Sequence, residues 1–161
     1  MSPWLAGMVP RVLSTDISDL GSTARDFIEA FAFHPDRIHP ATMLAWIGAY
    51  THQHPTAKAN YMTRTQSEDA LKDAAGKVPV LTILGKEDKF ILSDRVGGLF
   101  KETFVDVEVQ IWPEVGHVPF FEEPEKTRDA ILAFVKRVTK VRLSDLQVSV
   151  CLISSRLEYH C

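Results

Sequence analysis

A chain of 161 residues is long enough for one ordinary domain, and 45% hydrophobic with 24% charged residues is a globular composition rather than a disordered or fibrous one. The 18 Lys and Arg against 21 Asp and Glu give a formal charge of -3, which offers no long-range attraction for nucleic acid or an anionic membrane. No stretch approaches the roughly 20 apolar residues of a membrane helix, and Pro3 and Pro10 interrupt the apolar run that a signal peptide needs. The expectation is a soluble cytoplasmic protein, with neither nucleic acid nor membrane as a partner.

Residues 16 to 75 show only helical periodicity. Over Ala24–Phe31 the apolar residues recur at i, i+3, i+4 and i+7, which predicts an amphipathic helix capped by Ser22 or Thr23. A second helix with the same spacing is predicted from Pro40, since proline suits the first helical turn.

Two shorter helices are expected in the rest of this stretch. One follows Thr56, and the other is capped by Ser67 and ends before Gly76. Residues 1–76 are therefore predicted to form a helical segment.

The pattern changes at Lys77, because Val78–Leu84 is a nearly continuous apolar run ended by Gly85. Such a run fits a parallel strand buried on both faces. A helix capped by Ser93 and a second strand over Val107–Ile111 are predicted to follow. Strand, helix and strand form a βαβ unit, so the predicted fold class is α/β with two parallel strands.

The last regular element predicted is a helix from Pro124 to about Val138 with basic residues near its end. Residues 77–140 thus form the α/β part of the chain. Residues 141–161 form a tail without a cap or turn signal, in which Val148–Ile153 is consistent with either an edge strand or disorder.

Two short segments follow the predicted strands, at the place where α/β proteins carry their active groups. Asp88 comes shortly after Gly85, and His117 comes directly after Gly116. A carboxylate that accepts a hydrogen bond from one imidazole nitrogen fixes the tautomer and leaves the other nitrogen free to take a proton. Asp88 and His117 can cooperate in this way if their loops meet.

The segments PVLTILGKEDKF and PEVGHVPFFEEPE, in this order, resemble the carboxy-terminal signature of the α/β-hydrolase superfamily. The resemblance covers Lys77 to about Lys140 well. It implies that Asp88 is the triad acid, that His117 is the base, and that the helices of residues 16–75 are a lid. In a complete relative the substrate would be a small or medium apolar ester or amide.

The resemblance does not extend to the nucleophile. The superfamily carries it in a G-x-S-x-G elbow that precedes the acid. Ser14, Ser22 and Ser67 precede Asp88, but none lies between the required glycines after a strand. The expectation is a truncated serine ester or acyl hydrolase with little activity alone; the alternative is a non-catalytic binding or regulatory remnant of the fold.

No cofactor or metal is predicted. His52 and His54 could suggest a metal pair, but no third ligand follows at useful spacing. Cys151, His160 and Cys161 lack such spacing too, and the two cysteines are interpreted as free thiols.

Other side chains near these segments are given structural roles, and the free sheet edge is expected to allow oligomers. Phe120 and Phe121 are predicted to form core or pocket wall, and Trp46 and Tyr50 to line the buried face of the lid. An acidic cluster is taken to complement the dipole of the last helix: Glu122, Glu123 and Glu125.

Overall fold

The computed structural model describes residues 2–14, 16–65 and 67–139. The elements in chain order are α1 (Pro3–Val12), α2 (Ile17–Glu29), a 3₁₀ turn (Pro35–Arg37), α3 (Pro40–His52), α4 (Pro55–Thr63), α5 (Asp69–Ala74), β1 (Val80–Gly85), α6 (Ser93–Thr103), β2 (Val107–Trp112), α7 (Pro119–Glu122) and α8 (Pro124–Thr139). None of the helices in these ranges is long and apolar enough to cross a membrane. The predictions for the tail, including Val148–Ile153, Cys151, His160 and Cys161, lie outside the described residues.

Backbone contacts divide the chain into a first unit of residues 1–124 and a second unit that begins at Glu125. Helix α8 falls in the second unit apart from its first residue and has the predicted length. The boundaries expected after residues 76 and 140 stay predictions.

The helix predicted over Ala24–Phe31 is longer in the structure than the spacing of its apolar residues indicated. Helix α2 begins at Ile17, and its N-cap residue is Asp16, whose carboxylate accepts a hydrogen bond of 2.9 Å from the Ser18 N–H. The prediction of Ser22 or Thr23 as the cap was wrong, because both lie inside the helix. Aspartate is among the strongest N-cap residues, so the first helical turn could form before the apolar stripe starts.

Helices α3 and α4 begin at a proline that follows a histidine. His39 Nδ1 accepts a hydrogen bond from the Ala41 N–H, and His54 Nδ1 accepts one from the Thr56 N–H, each at 3.2 Å. These imidazoles serve as caps. The prediction of Ser67 as the cap of α5 was wrong by one position, because the N-cap residue is Glu68, which makes no side-chain cap hydrogen bond. The Ser67 hydroxyl lies one residue earlier and accepts from the Asp69 N–H at 3.2 Å.

Helix α1 was not predicted, because Pro3 and Pro10 were interpreted as breakers. Pro3 lies in the first turn, where no N–H is needed, and Ser2 caps the helix by accepting from the Leu5 N–H at 3.1 Å. Pro10 lies in the last turn and removes one hydrogen bond there. The helix contacts α2 through an ion pair of 2.8 Å between Arg11 and Asp26.

The helical core lies between α2 and α3. Ala24 and Ile28 of α2 pack with Tyr50 of α3, and all three are buried. The partly buried side chains packed against them are mostly aromatic or long and aliphatic: Leu20, Phe27, Phe31, Met43, Trp46 and Ile47. The prediction that Tyr50 lies on a buried face is confirmed.

Strands β1 and β2 pair in parallel, with Val80 opposite Val107 and Gly85 opposite Trp112. Helix α6 connects them and packs against both, which completes the predicted βαβ unit. Ser93 is not the cap of α6, because its hydroxyl is buried and donates to the Gly85 carbonyl oxygen at 2.6 Å.

The strand predicted to be buried on both faces is only half-buried. Over Val80–Ile83 the residues are intermediate in exposure, and only Leu84 and Gly85 are buried. Val78 just before the strand is 46% exposed. In the part of the chain that the structure describes, the sheet has two strands, so its cover is incomplete.

The buried Thr23 hydroxyl offers a test of the helical core. Thr23 is 1% exposed, and no described residue supplies a hydrogen-bond partner for its Oγ1. We expect Thr23→Val, which keeps the shape and removes the hydroxyl, to raise the free energy of unfolding by about 1 kcal/mol, since a buried unpaired hydroxyl is costly. Thermal melting should show an increase of about 2 to 4 °C.

The matched control is Thr23→Ser, which keeps the hydroxyl and loses a methyl group. It should not stabilise the protein. A valine variant that melts below the parent would mean that the hydroxyl has a partner after all.

Candidate active site

Asp88 and His117 lie at the carboxyl ends of the two paired strands. His117 Nδ1 is 2.8 Å from Asp88 Oδ2. The predicted approach of the two loops is therefore confirmed.

The Asp88 carboxylate is held by three hydrogen bonds. Its Oδ1 accepts from the N–H groups of Phe90 at 2.7 Å and Ile91 at 3.1 Å, while Oδ2 faces His117. The Asp88 side chain is only 3% exposed. A buried carboxylate with this many partners has one orientation, so it presents a fixed acceptor to the imidazole.

The His117 ring contacts the Asp88 carboxylate and also lines a cavity. Its side chain is 39% exposed and contacts the rings of Phe90 and Phe31, with centroid distances of 4.7 Å and 5.7 Å. When Nδ1 carries the hydrogen that Asp88 accepts, Nε2 is left as the acceptor. That arrangement suits a group that takes a proton from a neighbouring hydroxyl.

The two glycines that flank the pair are required by close backbone contact. A Cβ on Gly85 would overlap the carbonyl oxygens of Val115 and Gly116. A Cβ on Gly116 would lie 2.7 Å from the Phe31 oxygen and 2.8 Å from the Phe33 nitrogen. The lack of a side chain at Gly85 lets the two loops meet, and its lack at Gly116 lets the histidine loop approach residues 31–33.

Glu122 was missed as a site residue and has a different role from the predicted one. Its Oε1 accepts from the Gly116 N–H and its Oε2 from the Phe33 N–H, each at 2.7 Å. The His117 N–H also donates to the Phe31 oxygen, at 2.6 Å. The carboxylate thus joins the histidine loop to the turn that follows α2, and its interpretation as a helix-dipole residue was wrong.

A cavity of about 840 Å³ lies in the first unit, in front of His117. Its lining is largely apolar and aromatic, with few polar side chains: Leu5, Val12, Phe27, Ile28, Phe31, Trp46, Ala49, Tyr50, Gln53, Ala57, Lys58, Tyr61, Phe90, Ile91 and His117. Such a surface suits an apolar ligand.

Neither of the two phenylalanines after His117 lines this cavity. The prediction of core or pocket wall was wrong for Phe120, which is 64% exposed, whereas Phe121 lines a smaller cavity of about 160 Å³. They belong to α7, a short helix that begins at Pro119 and was not predicted. Phe121 instead packs edge-on against Trp46, with ring centroids 4.8 Å apart.

No group of three metal-ligating side chains occurs in residues 2–14, 16–65 and 67–139. His54 Nδ1 is engaged as the cap of α4.

The parallel strands, the crossing helix and the acid and histidine loops define a partial α/β-hydrolase fold. Residues 41–141 match the dienelactone hydrolase family, and the chain belongs to that family. Comparison with curated protein sequences gives no match.

The solved structures with a similar fold include several esterases. The esterase RhEst1 from Rhodococcus sp. ECU1013 has a TM-score of 0.73 and 21% identity, over 84% of this chain and 48% of that one. A putative aryl esterase from Burkholderia cenocepacia has a TM-score of 0.71 and 18% identity, over 80% of this chain and 46% of that one. Naproxen esterase from Bacillus subtilis has a TM-score of 0.58 and 16% identity, over 81% of this chain and 44% of that one. The chain spans about half the length of these proteins.

Gly85→Ala should separate the acid loop from the histidine loop, because a Cβ there overlaps the carbonyl oxygens of Val115 and Gly116. We expect a loss of about 1 to 3 kcal/mol in the free energy of unfolding, because the added Cβ meets backbone atoms that cannot move aside. Proton NMR should also lose the downfield signal of the hydrogen shared by His117 and Asp88.

The matched control is Gly48→Ala in α3, where nothing lies within 4 Å of the added Cβ. It should stabilise the protein by about 0.4 to 1 kcal/mol. Equal effects of the two substitutions on stability and on the NMR signal would contradict the close-contact argument.

Removing the Glu122 carboxylate should loosen the same loop from the other side. Glu122→Ala is expected to cost about 1 to 3 kcal/mol of unfolding free energy and to speed amide exchange at Gly116 and Phe33. Glu122→Gln should cost less, because one acceptor oxygen remains. The exposed Glu123 provides the control, since Glu123→Ala should not change the exchange rate of either amide. If the exchange rates were unchanged in Glu122→Ala, the role given to Glu122 would be excluded.

Proposed function

We propose that this chain carries the acid and the base of a serine-type ester or acyl hydrolase, with Asp88 as the orienting acid and His117 as the general base. The observation that carries the proposal is the 2.8 Å contact between His117 Nδ1 and Asp88 Oδ2 at the ends of paired parallel strands. Family membership supports it, because dienelactone hydrolases are hydrolases by name.

The proton path follows from the orientation of the imidazole. Asp88 accepts the Nδ1 hydrogen and stabilises the imidazolium that forms when Nε2 takes the proton of the serine hydroxyl. The serine oxygen attacks the ester carbonyl, and His117 returns the proton to the leaving alcohol. A water molecule then hydrolyses the acyl-enzyme, with His117 as base again.

We infer that the serine and the oxyanion donors belong to a part of the hydrolase fold that this sequence lacks. Two facts support truncation: the chain corresponds to about half of each esterase compared, and its strands are half-buried. The covalent step needs both a nucleophile and oxyanion donors, so this chain alone should have little triad activity.

The helices of residues 16–75 are proposed as the lid. Side chains of α2, α3 and α4 form most of the cavity wall, and His117 lies on the same wall. A small or medium apolar ester or amide would fit such a space in the complete enzyme. The cytoplasmic location and oligomers through the sheet edge belong to the same proposal.

The decisive experiment begins with the messenger sequence upstream of Met1. An in-frame strand followed by G-x-S-x-G would allow the extended protein to be made and assayed with p-nitrophenyl esters. His117→Ala should then lower kcat by about 10³-fold or more, and Asp88→Asn by a comparable factor. An extended enzyme that keeps its rate in His117→Ala would overturn the proposed roles.

The chain as given provides the control. It should hydrolyse p-nitrophenyl esters no faster than its own His117→Ala variant. A saturable activity that disappears in the variant would reveal a nucleophile within these 161 residues. A messenger without the elbow would favour the non-catalytic binding or regulatory remnant.

A further inference from the structure

Lys58 of α4 is a buried cation in an apolar cavity. The residue is only 8% exposed, and it lines the same cavity as His117. Its Nζ lies 3.8 Å from the centroid of the Tyr50 ring. Lysine is rarely buried to this extent unless it is paired.

The ammonium group has no anionic partner within the described residues. No carboxylate there lies within 4.0 Å of Nζ, and none of those residues accepts a hydrogen bond from it. Burial lowers the pKa of Lys58, since the apolar surroundings disfavour the charged form. The protein therefore carries an uncompensated charge at this place.

The Tyr50 ring compensates only part of that cost. A cation over an aromatic face gains about 0.5 to 2 kcal/mol. The ring accepts no conventional hydrogen bond, so the N–H groups of the ammonium remain available to an oxygen acceptor. A lysine that only covered apolar surface with its stem would extend its head into solvent, whereas this residue is almost wholly buried.

The rest of the cavity wall selects the kind of anion. No aspartate or glutamate occurs among the described residues that line it, so nothing there repels negative charge. Gln53 and Tyr61 are the polar lining residues nearest to Lys58 in sequence, and aromatic rings form much of the remaining surface. A ligand for this wall has an apolar, preferably aromatic, body and one anionic group.

We propose that Lys58 binds the carboxylate of an apolar, aromatic ligand in this cavity. The proposal deepens and rests on the proposed function, because the substrate class it assigns is an ester that carries a free carboxylate in addition to the ester group. The carboxylate supplies the counter-charge that Lys58 lacks and makes a charge-assisted hydrogen bond with it.

Binding can be tested on the chain as given, without hydrolysis. Calorimetry would compare 1-naphthaleneacetate with 1-naphthaleneacetamide, which has a closely similar shape and no charge. The parent should bind the carboxylate about 10-fold or more tightly than the amide. In Lys58→Met this preference should disappear while amide affinity is retained, and Lys58→Arg should keep part of it.

Unfolding of Lys58→Met would not explain a loss of the preference for the carboxylate ligand. The cost of a buried ammonium is fully present below its folded pKa and is relieved as the pH rises toward the value of a solvated lysine. Lys58→Met removes that cost, so the variant should melt at or above the parent temperature at neutral pH. Binding and stability are therefore expected to change in opposite directions.

Equal affinity of the parent for the two ligands, or no binding of either, would overturn the proposal. So would a preference that survives in Lys58→Met and disappears in His117→Gln, because the anion would then be held at His117. These outcomes are distinct from failure of the hydrolytic roles, which is judged by the His117→Ala rate in the extended enzyme.

Discussion

The two loops that carry Asp88 and His117 meet backbone to backbone at Gly85 and Gly116, and the placement of the acid and the base depends on this contact. Parallel pairing puts both loops at one end of the sheet, since Gly85 lies opposite Trp112. Two further hydrogen bonds close the loops on each other, from the Lys86 N–H to the Trp112 oxygen at 2.7 Å and from the Glu87 N–H to the Val115 oxygen at 3.0 Å. A side chain at Gly85 would push the two loops apart, and one at Gly116 would push the histidine loop away from residues 31–33.

The histidine is also anchored by the helical segment. In the turn after α2, the Phe31 oxygen accepts a hydrogen bond from the His117 N–H, and the Glu122 carboxylate accepts from the Gly116 and Phe33 N–H groups. The helices therefore do more than enclose a cavity, because they help to set the height and direction of the imidazole. A displacement of residues 31–33 would therefore move His117 as well as the cavity wall, to which Phe31 belongs.

The sequence predicted the parts of this arrangement that depend on local pattern. Apolar residues at the helical period of 3.6 predicted α2 and α3, and the continuous apolar run predicted β1. The flanking glycines, together with the order of acid and histidine, predicted the pair of Asp88 and His117. Contacts between distant residues left no local signal. Glu122 bonds to Phe33, 89 positions away, and Ser93 donates to Gly85 instead of capping its helix. Composition could not reveal which carboxylate would find two free N–H groups.

The two buried charges of the first unit differ in what surrounds them. Both carboxylate oxygens of Asp88 have partners: two backbone N–H groups donate to Oδ1, and the imidazole faces Oδ2. Lys58 has one aromatic face and no counter-ion among the described residues. Hydrophobic packing alone would be better served by a neutral side chain at position 58, because a buried unpaired charge opposes folding. Proteins accept such local costs where a site must recognise something, and the cavity that Lys58 shares with His117 is where a ligand would supply the missing charge.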